Sequence, residues 1–234
     1  MPICTVNVII VSLFLFKSLT TSAAPLEQTL TVMSDYRSDG VSQTMEKPAF
    51  QWSGDSVWNI DETQAEIYGR WFTSNIRFQD EKGYEFDLGL GTRVTLAGLQ
   101  WDFGLLNNFH FSVDSVDEYF LELYAGVFVN ENSTLYFTYA DDRETFDGGK
   151  NATITWDQSY SLAQNFNWSY QLGYTDMYRS RLSNSDYFWW TTGIHYNYGE
   201  FLLSLDYHNT DIRRAVDFYD IAQDSIVFSA AVIF

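Results

Sequence analysis

Apolar and polar residues alternate along most of this chain with a period of two. In residues 166–175, Phe166, Trp168, Tyr170, Leu172 and Tyr174 fall on one side, and Asn167, Ser169, Gln171, Gly173 and Thr175 on the other. The same division sets Tyr84, Phe86, Leu88 and Leu90 against Glu85, Asp87, Gly89 and Gly91, and Leu99, Trp101, Phe103 and Leu105 against Gln100, Asp102 and Gly104. Phe201, Leu203, Leu205 and Tyr207 likewise oppose Ser204, Asp206 and His208. Successive side chains of a strand point to opposite faces, so this period predicts strands with one apolar and one polar face. Twelve such segments follow one another: 28–38, 49–58, 65–77, 84–92, 98–110, 117–129, 132–142, 150–162, 166–176, 186–198, 200–210 and 224–234. No helical period, linker or low-complexity tract interrupts them, so they predict one all-β domain.

The connections fall into two alternating kinds. Turns around Asn130, Gln164 and Gly199 are very short, while those after the first, seventh, ninth and eleventh segments are long and polar. Short turns at one end and long loops at the other mark a transmembrane antiparallel up-and-down β-barrel of about twelve strands, with both termini on the periplasmic side. A soluble sandwich or lipocalin-like barrel also alternates. There, however, the apolar face points inward and must fit a small interior, and this apolar face is uniformly large, in a chain with 19 Phe, 16 Tyr and 8 Trp. Trp58, Trp71, Trp156, Trp190, Tyr36, Tyr174, Tyr196 and Tyr198 are expected as interfacial girdles. The last segment places Ile226, Phe228, Ala230, Val232 and Phe234 on one face, which resembles the C-terminal signal read by barrel-assembly machinery.

Residues 1–23 read as a leader. The apolar run of residues 5–16 has the length of a signal-peptide core, and small residues precede a cut between Ala23 and Ala24, leaving residues 24–234 as the barrel domain. Lys17 ends the run well short of a bilayer span. Cys4, the only cysteine, would leave with the leader, so no disulfide or Cys metal site is expected.

Charge adds a functional expectation. The chain carries 13 basic and 31 acidic residues, a net −18, which disfavours nucleic acid as a partner. If the apolar face meets lipid, the polar face lines a lumen bearing Asp35, Asp55, Glu66, Glu85, Asp87, Asp102, Glu118, Glu122, Asp157 and Asp206, opposed by Arg37 and Arg70, with His195 and His208 beside them. Carboxylates are costly in lipid, so their shared parity supports the assignment. Rings of Asp and Glu favour cations. Inward Tyr68, Phe72, Phe120, Tyr124, Phe128, Tyr136, Tyr187 and Trp189 narrow such a pore to a slit or fill it.

Three stretches carry a family resemblance. SDYRSDGVSQTMEKPAFQ (residues 34–51), EIYGRWFTSNIRF (66–78) and YEFDLGLG (from Tyr84) resemble the motifs of the TorF-like putative porin family, with Asp39 standing where an Arg is expected before Gly40. The resemblance implies an outer-membrane barrel with a porin role. The expectation is therefore passive diffusion of small cations or small hydrophilic solutes through an acidic lumen, without cofactor, metal or catalytic residues. The expected partners are outer-membrane lipid, lipopolysaccharide and the assembly machinery at Phe234. The alternative is a plugged, non-conducting barrel with a structural, adhesive or lipid-modifying role. For an enzyme, His110 with Ser112 and Ser115 is the one grouping available, and it lacks a nucleophile signature.

Overall fold

A computed structural model describes residues 26–60, 65–78, 81–112, 118–143, 149–178, 186–212 and 220–234; the expected leader lies outside them. Twelve strands close into one antiparallel barrel: β1 (Glu27–Met33), β4 (Ala49–Ile60), β5 (Ala65–Phe78), β6 (Glu81–Leu96), β7 (Leu99–Ser112), β8 (Glu118–Asn130), β9 (Ser133–Arg143), β10 (Gly149–Ala163), β11 (Phe166–Tyr178), β12 (Tyr187–Tyr198), β13 (Phe201–Thr210) and β14 (Ser225–Ile233). Each strand pairs with its neighbour in sequence, and the ring shuts where β1 meets β14 in the register Thr29↔Ile233. A small hairpin, β2 (Arg37–Ser38) and β3 (Val41–Ser42), is the only other pairing among the described residues.

The tight turns have local causes. Ala97 and Gly98 both take positive φ (54° and 80°), the conformation of a two-residue hairpin whose twist matches its strands. At the β8–β9 turn the Asn132 amide donates to Asn130 Oδ1 at 2.9 Å, the side-chain capping that suits Asn to turns. These turns lie at the end of the barrel where β1 starts and β14 finishes, the periplasmic end by the asymmetry of such barrels.

Burial is inverted relative to a soluble fold. Leu90 and Leu123 are 54% and 51% exposed, whereas Asp102 and Thr175 on the other face are 2% and 1% exposed. That inversion excludes the soluble alternatives. An apolar exterior belongs in lipid, where a closed barrel leaves no backbone group unpaired. Leu105, at the middle of β7 on the outer face, carries a direct prediction. Leu105→Arg should lower stability in lipid vesicles by about 2–4 kcal/mol, the cost of a guanidinium near the bilayer midplane. A urea titration showing under about 1 kcal/mol would place that face outside the hydrocarbon.

Two expectations about the wall need correction. The first strand ends at Met33, not at residue 38, so Asp35 and Arg37 are not on it. Nor are all the aromatic residues at strand ends. Trp71 and Trp156 sit at the middles of β5 and β10, where outward rings pack on neighbours: Trp71 is edge-on to Trp52 at 4.7 Å, and Trp156 Nε1 donates to Ser133 at 2.9 Å. Tyr36 leaves the wall and lies against Phe72, centroids 5.7 Å apart.

Candidate functional site: the lumen and its constriction

The segment between β1 and β4 folds into the barrel instead of outward. Asp35, 4% exposed, organises it. Its Oδ1 accepts from Ser42 Oγ at 2.5 Å and Thr44 Oγ1 at 2.8 Å, and its Oδ2 from Arg37 Nε at 2.7 Å. Arg37 also donates to the carbonyls of Gly40 (2.9 Å) and Gln223 (2.7 Å). A carboxylate and a guanidinium buried together are stable where either alone would be costly; Arg37 Nη2 makes no hydrogen bond to any described residue and approaches Glu46 at 3.6 Å. The hairpin tip has Asp39 and Gly40 at positive φ (50° and 78°). A Cβ on Gly40 would come within 2.6 Å of Thr210 and 3.0 Å of Trp189, so the tip seats against β12 and β13 only as glycine.

Anchors on opposite walls make this segment a crossbar. The Ser42 amide donates to the Ile221 carbonyl at 2.9 Å, and the Gln43 carbonyl accepts from the Arg77 amide of β5 at 2.8 Å. Thr153 of β10, nearly across the ring, reaches Asp39 Oδ2 at 3.4 Å. The expected polar surface loop is thus an internal constriction near the outer end. Its polar residues bond to one another and to the wall, which is why a composition typical of loops is stable inside.

A second obstruction crosses the wall from β5 to β9. Tyr68 donates to Asp102 Oδ1 at 2.6 Å and Tyr136 to Asp102 Oδ2 at 2.9 Å. The Tyr68 and Tyr124 hydroxyls are 2.5 Å apart; since Tyr68 has given its one proton to Asp102, Tyr124 is the donor there. Arg93 lies 3.6 Å from both Glu66 and Asp102 and stacks on Tyr68, and Arg70 stacks on Tyr124, each guanidinium 4.7 Å from the ring centroid. Glycines on the lumen face make room. A Cβ at Gly91 would collide with Tyr68, at Gly104 with Tyr124, and at Gly126 with Tyr136. On the opposite wall Trp189 occupies the space over Gly173 and Asp206 that over Gly193.

The expected site residues can now be placed. Asp35 and Arg37 are inside, but in the crossbar. Asp55, Glu66, Arg70, Glu85, Asp87, Asp102, Glu122, Asp157, His195, Asp206 and His208 have lumen parity on their strands. Glu118 starts β8, and its side chain lies outside the described residues. Most of the acids are engaged: Asp157 accepts from Gln171 at 2.6 Å, Asp206 meets His195 at 2.9 Å, and Glu85 lies 3.5 Å from His110. His208 Nδ1 is 2.9 Å from Thr191. His110 faces inward, edge-on to Phe120; Ser115 lies outside the described residues, as does the side chain of Ser112. Among the described residues no group of three or more His, Cys, Asp or Glu could hold a metal.

Sequence reasoning missed lumen charges, Arg93 and Glu27 among them. Arg93 has the parity of Glu85 and Asp87 but lies one residue past the expected end of its strand. Glu27 precedes the expected start of the first. The period, run on by a few residues, would have found both.

Toward the periplasmic half, open space remains: a cavity of about 390 Å³ lined by Glu27, Ser53, Asp55, Tyr68, Arg70, Asp87 and Arg93 among others.

Comparison with other proteins agrees with this architecture. A family model described as "Bacterial protein of unknown function (Gcw_chp)" matches residues 17–234. No curated protein matches. Among solved structures, an outer-membrane channel from Pseudomonas putida F1 superposes with a TM-score of 0.50 at 8% identity, over 89% of this chain and 94% of that one. The NanC porin does so with a TM-score of 0.50 at 12% identity, over 88% and 98%. A protein from work on in-meso crystallization of membrane proteins gives a TM-score of 0.55 at 10% identity, over 89% and 83%. At such identities the likeness is one of fold. The lipid-facing exterior and closed ring locate the chain in a bacterial outer membrane.

Proposed function

Since this chain belongs to the Gcw_chp family of bacterial proteins, its role has to be read from its own lumen, and we propose a narrow outer-membrane channel for small cations and small hydrophilic solutes. One observation carries this reading: beside the crossbar and the tyrosine cluster, a polar cavity stays open, in which Glu27 and Asp55 form no ion pair with any described residue. Unneutralised carboxylates on a pore wall concentrate cations and repel anions. The TorF-like motifs support a porin role, and the expected leader and the Phe234 strand support export and barrel assembly. Lipid and lipopolysaccharide surround the wall in this reading.

Refolded protein in a planar bilayer under a KCl gradient should show discrete openings and a reversal potential of cation sign. The pair Glu27→Gln and Asp55→Asn should remove about half of that preference, because these two carboxylates border the open cavity without an ion-pair partner among the described residues. A folded barrel without openings would end the channel reading. The alternative, an occluded barrel acting through its outer loops, is supported by the crossbar and the tyrosine cluster, and it would then stand.

A further inference from the structure

Arg70 and Asp55 are register partners on adjacent strands, where opposite charges ordinarily meet. Here they do not. No ion pair joins Arg70 to any described residue. Its stem passes over Gly89, where a Cβ would lie 2.7 Å from Arg70 Cγ, and its guanidinium rests on the ring of Tyr124. That ring is itself fixed by the hydroxyl bond to Tyr68. The ring holds the guanidinium without engaging its N–H donors, which make no hydrogen bond to any described residue and can take a bidentate carboxylate.

Arg93, the other guanidinium at this cavity, differs: Glu66 and Asp102 flank it. One cation is therefore available, and it shares about 390 Å³ with the carboxylates of Asp55 and Glu27. That volume lies in the range of small-molecule sites. Opposite charges that do not meet each other, held around one open space, complement a ligand that carries both charges itself.

We propose that this cavity is a docking site for small zwitterions of the amino-acid class, with Arg70 taking the carboxylate and Asp55 with Glu27 the ammonium group. The inference deepens the channel reading and rests on it. A neutral polyol of the same size gains neither contact, and a plain anion or cation gains one and meets repulsion from the other charge.

Proteoliposome swelling tests this with L-serine and erythritol as probes, each rate ratio being taken within one protein so that changes of pore width cancel. The native chain should admit serine faster than erythritol. The ratio should fall about fivefold in Arg70→Gln and comparably in Asp55→Asn, the size of one charge-assisted contact at a solvated site. Arg70→Lys should recover part of it, and a heat-modifiable band on gels certifies folding of each variant. A ratio near unity in the native chain, or one unmoved by Arg70→Gln, would overturn the zwitterion site while KCl conductance kept the channel. Absence of both swelling and conductance from folded protein would take down both readings.

Discussion

Replacing residues 34–48 by a Gly-Asn-Gly turn raises single-channel conductance by about threefold or more, since the narrowest lined section governs ion flow. Met33 pairs directly with Ala49 across the β1–β4 ladder, so a short hairpin closes the gap without disturbing the wall. What is lost is mostly interior: the Asp35 knot, the Gly40 tip against Thr210 and Trp189, and the bonds to Ile221, Gln223 and Arg77, together with the rim bonds of Ser34 to Phe228 and of Pro48 to Asn75. The measurement is step size in 1 M KCl with native and shortened proteins side by side. Unchanged steps would mean that the tyrosine cluster, and not the crossbar, limits flow.

The second large effect concerns stability. Asp102→Ala should cost about 3–5 kcal/mol, as removing one partner of a buried charged network does. Asp102 is 2% exposed, and its loss strands the Tyr68 and Tyr136 hydroxyls, which both donate to it. Arg93 is about one-third exposed and contributes less, because solvent screens its share. Asp102→Asn, which keeps an acceptor, should cost less than half as much. Urea titration of vesicle-embedded protein by tryptophan fluorescence measures both. A cost under about 1 kcal/mol for the alanine variant would show the cluster to be loosely held.

The wall was legible because one rule governs it. A residue in lipid must be apolar, so period-two parity assigned Leu88, Leu105 and Leu203 to the outside and Asp87, Gln100 and Ser204 to the inside, twelve strands over. The interior was less legible, since a water-filled or plugged lumen accepts polar and aromatic residues alike. Asp35 and Arg37 illustrate this. Two residues apart, they share a face on any strand, so the parity that placed them inside could not reveal that the chain had already left the wall. The lumen glycines were read as part of a polar surface, whereas Gly91, Gly104 and Gly126 are the clearance that the inward tyrosines need; that pairing runs across strands and is absent from any one segment. The family resemblance over Ser34–Gln51 has a geometric meaning: the stretch encodes the crossbar and the first residues of β4.

Closure through β1 and β14 also dictates an order of events during biogenesis. Gln28 and Phe234 exchange backbone hydrogen bonds, the Gln28 amide to the Phe234 carbonyl and the reverse, each at 2.9 Å; β1 thus completes its ladder only when the last strand arrives. The crossbar depends on the same late event, since the carbonyls of Ile221 and Gln223 that hold it precede β14 directly. Contacts between the two ends of a chain carry the greatest loop-closure entropy and form slowly. The seam and the crossbar bonds to Ile221 and Gln223 are therefore expected to form last, so that the tyrosine cluster on β5 to β9 can narrow the lumen before the crossbar is locked in place.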